Sequence, residues 1–184
     1  MMSKGGRLLH ALLLAALLSA VLPGAAAAGQ GRWSPDAPSN RELLPTFNYS
    51  MVEGVLDEIG ARHERRGPAM RPSLLVTFQS GRSAAIVFGS CSDGGNACRA
   101  ISLQAGWTLP RGANSRRAAE LTQAFARRYA FSRAFVLANG NLALQRYLTA
   151  DYGFIRGNLA VNLLAFAAQL DLFAREVLGP LSRR

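Results

Sequence analysis

Two cysteines, one histidine outside the N-terminal leader and three carboxylates on one short segment are the groups in this chain whose chemistry could go beyond packing. Cys91 and Cys98 flank the polar stretch Ser-Asp-Gly-Gly-Asn-Ala between two apolar runs. That spacer is too long for a Cys-x-x-Cys redox motif. Structural zinc wants four ligands, and here only His63 could join the two thiols. In an oxidising compartment the pair forms a disulfide across a hairpin, a closure worth on the order of 2.5 kcal/mol in the chain-entropy view. A serine or cysteine hydrolase needs a base for its nucleophile. His63, beside Glu64, Arg65 and Arg66, reads as a solvated residue at the frayed end of a first helix. Glu53, Asp57 and Glu58 share that helix with Arg62 and read as surface charge pairs. Asp93-Gly94-Gly95 reads as a turn, and no phosphate-cradling glycine motif occurs. The expectation is a protein that is not an enzyme, with no catalytic residues, metal or cofactor.

The leader explains why a disulfide is expected. Lys4 and Arg7 precede an apolar run from Leu8 to Leu22, and Ala26-Ala27-Ala28 supplies small residues for cleavage, the three-part layout of a secretory signal. The run is about 15 residues, shorter than the roughly 20 that a spanning helix needs, and Pro23-Gly24 breaks it. Residues 1–28 are therefore expected to be a cleaved signal peptide, retention as an anchor being the competing reading. No transmembrane segment is expected after cleavage, and the address is periplasmic or secreted. Loss of Lys4 and Arg7 leaves 19 basic residues against 11 acidic ones, a net charge of about +8 carried by arginine, since Lys4 is the only lysine. The arginines are scattered, without a basic stripe interleaved with stacking aromatics, so nucleic acid is not an expected partner.

Patterning then orders the elements. Residues 29–47, rich in Gly, Pro, Ser, Asn and Arg, read as a flexible leader, and 48–180 as one domain. Met51, Val55, Leu56 and Ile59 recur at helical spacing after Ser50, a candidate cap. Ser73 to Gln79 and Ser83 to Gly89 are strand-like runs around Ser80-Gly81-Arg82, and Ile101, Leu103 and Ala105 alternate along a third. A second helix, capped by Asn114 or Ser115, carries Ala118, Leu121, Phe125 and Tyr129 on one face. Arg133 to Leu137 and Leu142 to Leu148 flank Asn139-Gly140, a type I′ hairpin signal. A long helix, Phe154 to Leu178, carries two apolar stripes. Ile155, Leu159, Leu163, Phe166, Leu170, Phe173 and Val177 form the first; Phe154, Val161, Leu164 and Leu172 form the second. The expected fold is α+β, in the order α-β-β-β-α-β-β-α, with helices packed on an antiparallel sheet.

Phe88 to Cys91, Cys98 to Trp107, Arg127 to Ala134 and Asp151-Tyr152-Gly153 before the apolar helix together resemble the YbjN family of bacterial sensory transduction regulators, across roughly residues 48–178. The resemblance implies a fold like that of type III secretion chaperones, a tendency to dimerise and a bacterial source. It brings no catalytic or ligand residues. Where an Asn-x-Trp-Asn-like stretch is expected in the second helix, this chain has Gln123-Ala124-Phe125-Ala126, and only the aromatic remains.

The function that follows is an exported, non-catalytic binding or regulatory module, chaperone-like, acting in the envelope or in stress-related regulation. Its partner is a second copy or a protein client, met by the surface of Phe154, Val161, Leu164 and Leu172. The alternative is a basic protein that binds polyanions or the envelope surface, which the net charge would serve.

Overall fold

The computed structural model describes residues 33–92 and 96–182. The expected signal segment and the Asp93-Gly94-Gly95 turn lie outside them. A 3-10 turn, Pro38–Arg41, leads to β1 (Leu43–Leu44) and then α1 (Tyr49–Glu58). Asn48, rather than Ser50, caps α1: its side chain accepts the Met51 amide at 2.9 Å. Strands β2 (Arg62–Arg66), β3 (Ser73–Thr77), β4 (Ser83–Ser92) and β5 (Ala97–Trp107) follow, then α2 (Ser115–Arg128), capped by Asn114, and β6 (Arg133–Val136), β7 (Leu142–Thr149) and β8 (Phe154–Ile155). The last helix, α3 (Arg156–Phe173), runs through a π-helical turn, Ala174–Leu178, into α4 (Gly179–Ser182).

The fold is α+β. Six antiparallel strands stand in the order β2-β3-β4-β5-β7-β6. Register places Leu74, Ile86 and Leu103 in one row across the sheet, buried beneath the helices. Onto this face α3 lays its first stripe, and Leu159, Leu163, Phe166, Leu170, Phe173 and Val177 are all fully buried. Trp107 of β5 stacks on Phe173 with ring centroids 4.6 Å apart, and Phe125 of α2 meets the same ring edge-on at 5.1 Å. One aromatic cluster thus joins the sheet to both helices.

The order α-β-β-β-α-β-β-α is incomplete by three strands. Strand β2 escapes apolar patterning because it is an edge strand made of Arg-His-Glu-Arg-Arg, charges that keep a free sheet edge from pairing with other chains. Strands β1 and β8 are two residues each and pair only with one another, across more than a hundred residues of chain. Their pairing also corrects the expected looseness of 29–47, because residues 33–47 form a strap docked on the domain. Leu44 and Phe47 are buried, and Phe47 exchanges two backbone hydrogen bonds with Cys98, at 2.7 and 2.8 Å. Two glycines make room for the strap. A Cβ on Gly157 would lie 2.8 Å from Asn40 Cβ, and one on Gly153, whose φ is +88°, would lie 2.7 Å from Leu43 Cδ1.

Arg156 locks these parts together. Its side chain is 12% exposed, its guanidinium donates to both Glu58 oxygens at 2.9 and 2.7 Å, and Glu42 of the strap lies 3.9 Å away. Arg156→Ala is expected to lower unfolding free energy by about 2 kcal/mol, because it strips Glu58 of a charge-assisted partner in a half-buried setting. The exposed control Arg127→Ala should stay within about 0.5 kcal/mol. Urea titration of both variants measures the difference.

Candidate functional site

His63 lies in β2, not at a helix end. With Arg65 it projects from the helix side of the strand toward α1, where its Nε2 is 2.9 Å from Asp57 Oδ1 and its Nδ1 4.0 Å from Glu53 Oε1. Arg65 clamps Glu53 with two bonds of 2.6 Å. The spacings match physically: four residues of helix rise about 6 Å and two residues of strand about 6.6 Å. Glu53 and Asp57 therefore meet Arg65 and His63 in step, and neither pairs with Arg62, as a helix-surface reading would have it. Arg65 holds the Glu53 carboxyl below its ordinary range, chiefly through those hydrogen bonds. The arrangement is a strand-to-helix tie, and the third carboxylate, Glu58, is taken by Arg156.

The four residues expected to form an interaction surface separate. Phe154 packs on Phe47 with ring centroids 5.3 Å apart, and Leu172 is half-buried against the core. Val161 remains 48% exposed and Leu164 38% exposed. Around them the outward side of α3 shows Asn158 and Ala168, and the sequence carries no charge from Gly157 to Leu170. Ile155, just before α3, and its strand partner Leu43 are exposed as well.

Beside the stripe lies a group that patterning missed. Arg146 is on the helix side of β7, opposite Leu103, where alternation calls for an apolar residue. Its Nε donates to Asn162 Oδ1 of α3, its Nη1 to the Phe131 carbonyl, and its guanidinium stacks on the exposed Phe131 ring. Desolvation pushes its pKa down. A basic residue breaking a strand's apolar alternation was the available signal.

The opposite face of the sheet differs in kind. Its rows run Leu75, Ala85, Gln104, Gln145 and Arg133, then Ser73, Val87, Ser102 and Tyr147. Gln104 and Gln145 both donate to Ser102 Oγ, at 3.0 and 2.8 Å. A shallow depression of about 330 Å³ lies over Ala85, Gly106 and Ala143, rimmed by Phe135 and Leu137. At the end of β4 and β5, Cys91 and Cys98 are register partners with their sulfurs 2.11 Å apart, at disulfide distance.

In comparison with known families, the YbjN model, described as "Putative bacterial sensory transduction regulator", matches residues 48–179. No curated protein and no solved structure matches the chain.

The Glu53–Arg65 tie has a pH signature. A carboxylate held below its unfolded pKa contributes stability that is fully present above that unfolded value, near 4.5, and is lost as pH falls through the lower folded value. Wild type should therefore lose more stability between pH 6 and pH 3 than Glu53→Gln does. Urea unfolding across that range checks it; equal losses would remove Glu53 from the acid response.

Proposed function

We propose that this chain, which belongs to the YbjN family, is an exported, non-catalytic regulatory module that works by binding polypeptide through the uncovered stripe of α3. The family supplies the regulatory character, described for it as sensory transduction. The exposed, charge-free side of α3 carries the reading. A helix whose buried side already completes the core has no need of Val161 and Leu164 outside it, and apolar area left in water favours association. The simplest occupant is a second copy, each stripe meeting itself about a two-fold axis; a protein client is the other. A chaperone-like role is the form such client binding would take.

Export rests on the signal-like layout of residues 1–28 and on the paired cysteines, which an oxidising compartment would keep bonded. The periplasm is the proposed address. Material recovered from the periplasm of a bacterial host should begin at Gly29; an intact Met1 there would mean that the leader is retained.

The charge of about +8 favours polyanion binding as the second reading, and salt separates the two. Binding to a polyanion weakens steeply between 50 and 200 mM salt, whereas an apolar stripe is nearly indifferent.

The structure selects the test. Val161→Glu with Leu164→Glu is expected to weaken self-association or client capture at least tenfold while shifting Tm by no more than about 3 °C, because both side chains are already partly exposed outside the core. Light scattering and thermal unfolding on the same samples decide it. A wild-type monomer without a client, or a double variant that unfolds, overturns the proposal.

A further inference from the structure

The end of the β4–β5 hairpin forms a cleft of about 450 Å³ lined by Thr46, Ser90, Cys91, Ser92, Ala97 and Arg99. Within it the two cysteines are unequal. Cys91 is partly exposed and lines the cleft, while Cys98 is fully buried behind it. Ser90, next to Cys91, has φ +51°, the one non-glycine among the described residues in the left-handed region. Strained backbone of this kind persists where surroundings hold it, and it collects at functional sites. Arg99 adds a cation to the cleft beside the accessible sulfur. On the far side, the Cys98 backbone holds the strap through its paired bonds to Phe47.

We infer that this cleft is a thiol–disulfide exchange site, with Cys91 as the sulfur attacked and an anionic thiol as the reactant. The inference rests on the reading that the two cysteines are bonded in the exported protein. An incoming thiolate attacks Cys91 Sγ in line with the existing bond. A new disulfide forms between the reactant and Cys91, the Cys91–Cys98 bond breaks, and its electron pair leaves on Cys98 Sγ, which takes a proton from water. A second thiol of the reactant class releases Cys91 as a thiol, so that two reactant thiols are oxidised to one disulfide while the protein gains two electrons and two protons. The opposite direction, with an oxidised reactant, restores the bond. Arg99 draws in reactants of net negative charge.

The consequence reaches the strap. Once the bond is open, the hairpin end loses its closure and the Cys98 backbone its fixed position, so the Phe47 pairing that depends on it weakens. Thiol state would thereby set how firmly residues 33–47 cover the domain.

The test uses the exported protein and glutathione as the probe. Alkylation without reductant comes first: a protein with two free thiols fails the disulfide reading itself and takes the inference with it, whereas a bonded protein puts the exchange site alone at stake. Glutathione should then give a mixed disulfide that peptide mass analysis locates on Cys91. Location on Cys98, or no adduct where dithiothreitol does open the bond, overturns the site. Arg99→Gln should slow reaction with glutathione at least threefold and change the rate with cysteamine, whose thiolate form carries no net charge, less than twofold; equal effects would remove the Arg99 role. Opening the bond should speed amide exchange at Phe47 about tenfold or more relative to Ile86. Unchanged Phe47 protection in the opened protein overturns the coupling to the strap.

Discussion

The described residues are arranged around the burial of α3 against the helix side of the sheet. Five large side chains on one stripe of that helix, with Val177 of the π-helical turn, leave water completely, a gross contribution on the order of 10 kcal/mol before chain entropy is set against it. The other helices occupy what that packing leaves. Helix α1 lies beside α3, and α2 closes on its far end through the Phe125–Phe173–Trp107 aromatics. The strap crosses its start, where Gly153 and Gly157 leave room for it.

Charge is placed where this packing stops. Arg65 and Arg146 stand at opposite ends of the buried row that contains Leu74, Ile86 and Leu103. One fastens the sheet to α1 through Glu53, and the other fastens it to α3 through Asn162. Arg156 does the same for the strap and α1. Arg156 buries its stem while its head finds oxygen partners at the boundary, and the more exposed Arg65 lies over the Tyr49 ring, so neither places an unpaired charge in the core.

The two outward surfaces then differ for a structural reason. Sheet residues alternate, so completing the helix-side core leaves the other face to a mixture of Ser, Gln, Ala and Gly with Leu75, Val87, Arg133 and scattered aromatics. Helix α3 has no such separation. Its apolar residues are spread around the cylinder, and what the core does not take remains outside, uncharged, at Val161 and Leu164. The sheet face thus mixes polar and apolar groups, whereas the stripe on α3 is uncharged throughout. The family membership supplies the regulatory character, and contact through this surface is the part that we propose.

Local pattern alone determined the class of fold, both long helices, the hairpins at Gly81 and Asn139-Gly140, and the buried stripe of α3, because each is written in periodicity or turn chemistry within a few residues. That Cys91 and Cys98 lie at disulfide distance was readable too, since one loop separates them. Tertiary structure decided what depends on distant partners. Strand β2 is charged, so no alternation marks it, and β1 and β8 are strands only because Leu43 meets Ile155 and Leu44 meets Phe154. His63 acquired its carboxylates by the meeting of a strand and a helix, and Arg146 its place by a row it shares with residues far away in sequence. Of the four residues expected to share one uncovered face, only Val161 and Leu164 remain exposed, for the same reason. Helical spacing tells which side chains share a face, but whether Phe154 and Leu172 are covered depends on Phe47 and the rest of the core, which spacing within α3 does not contain.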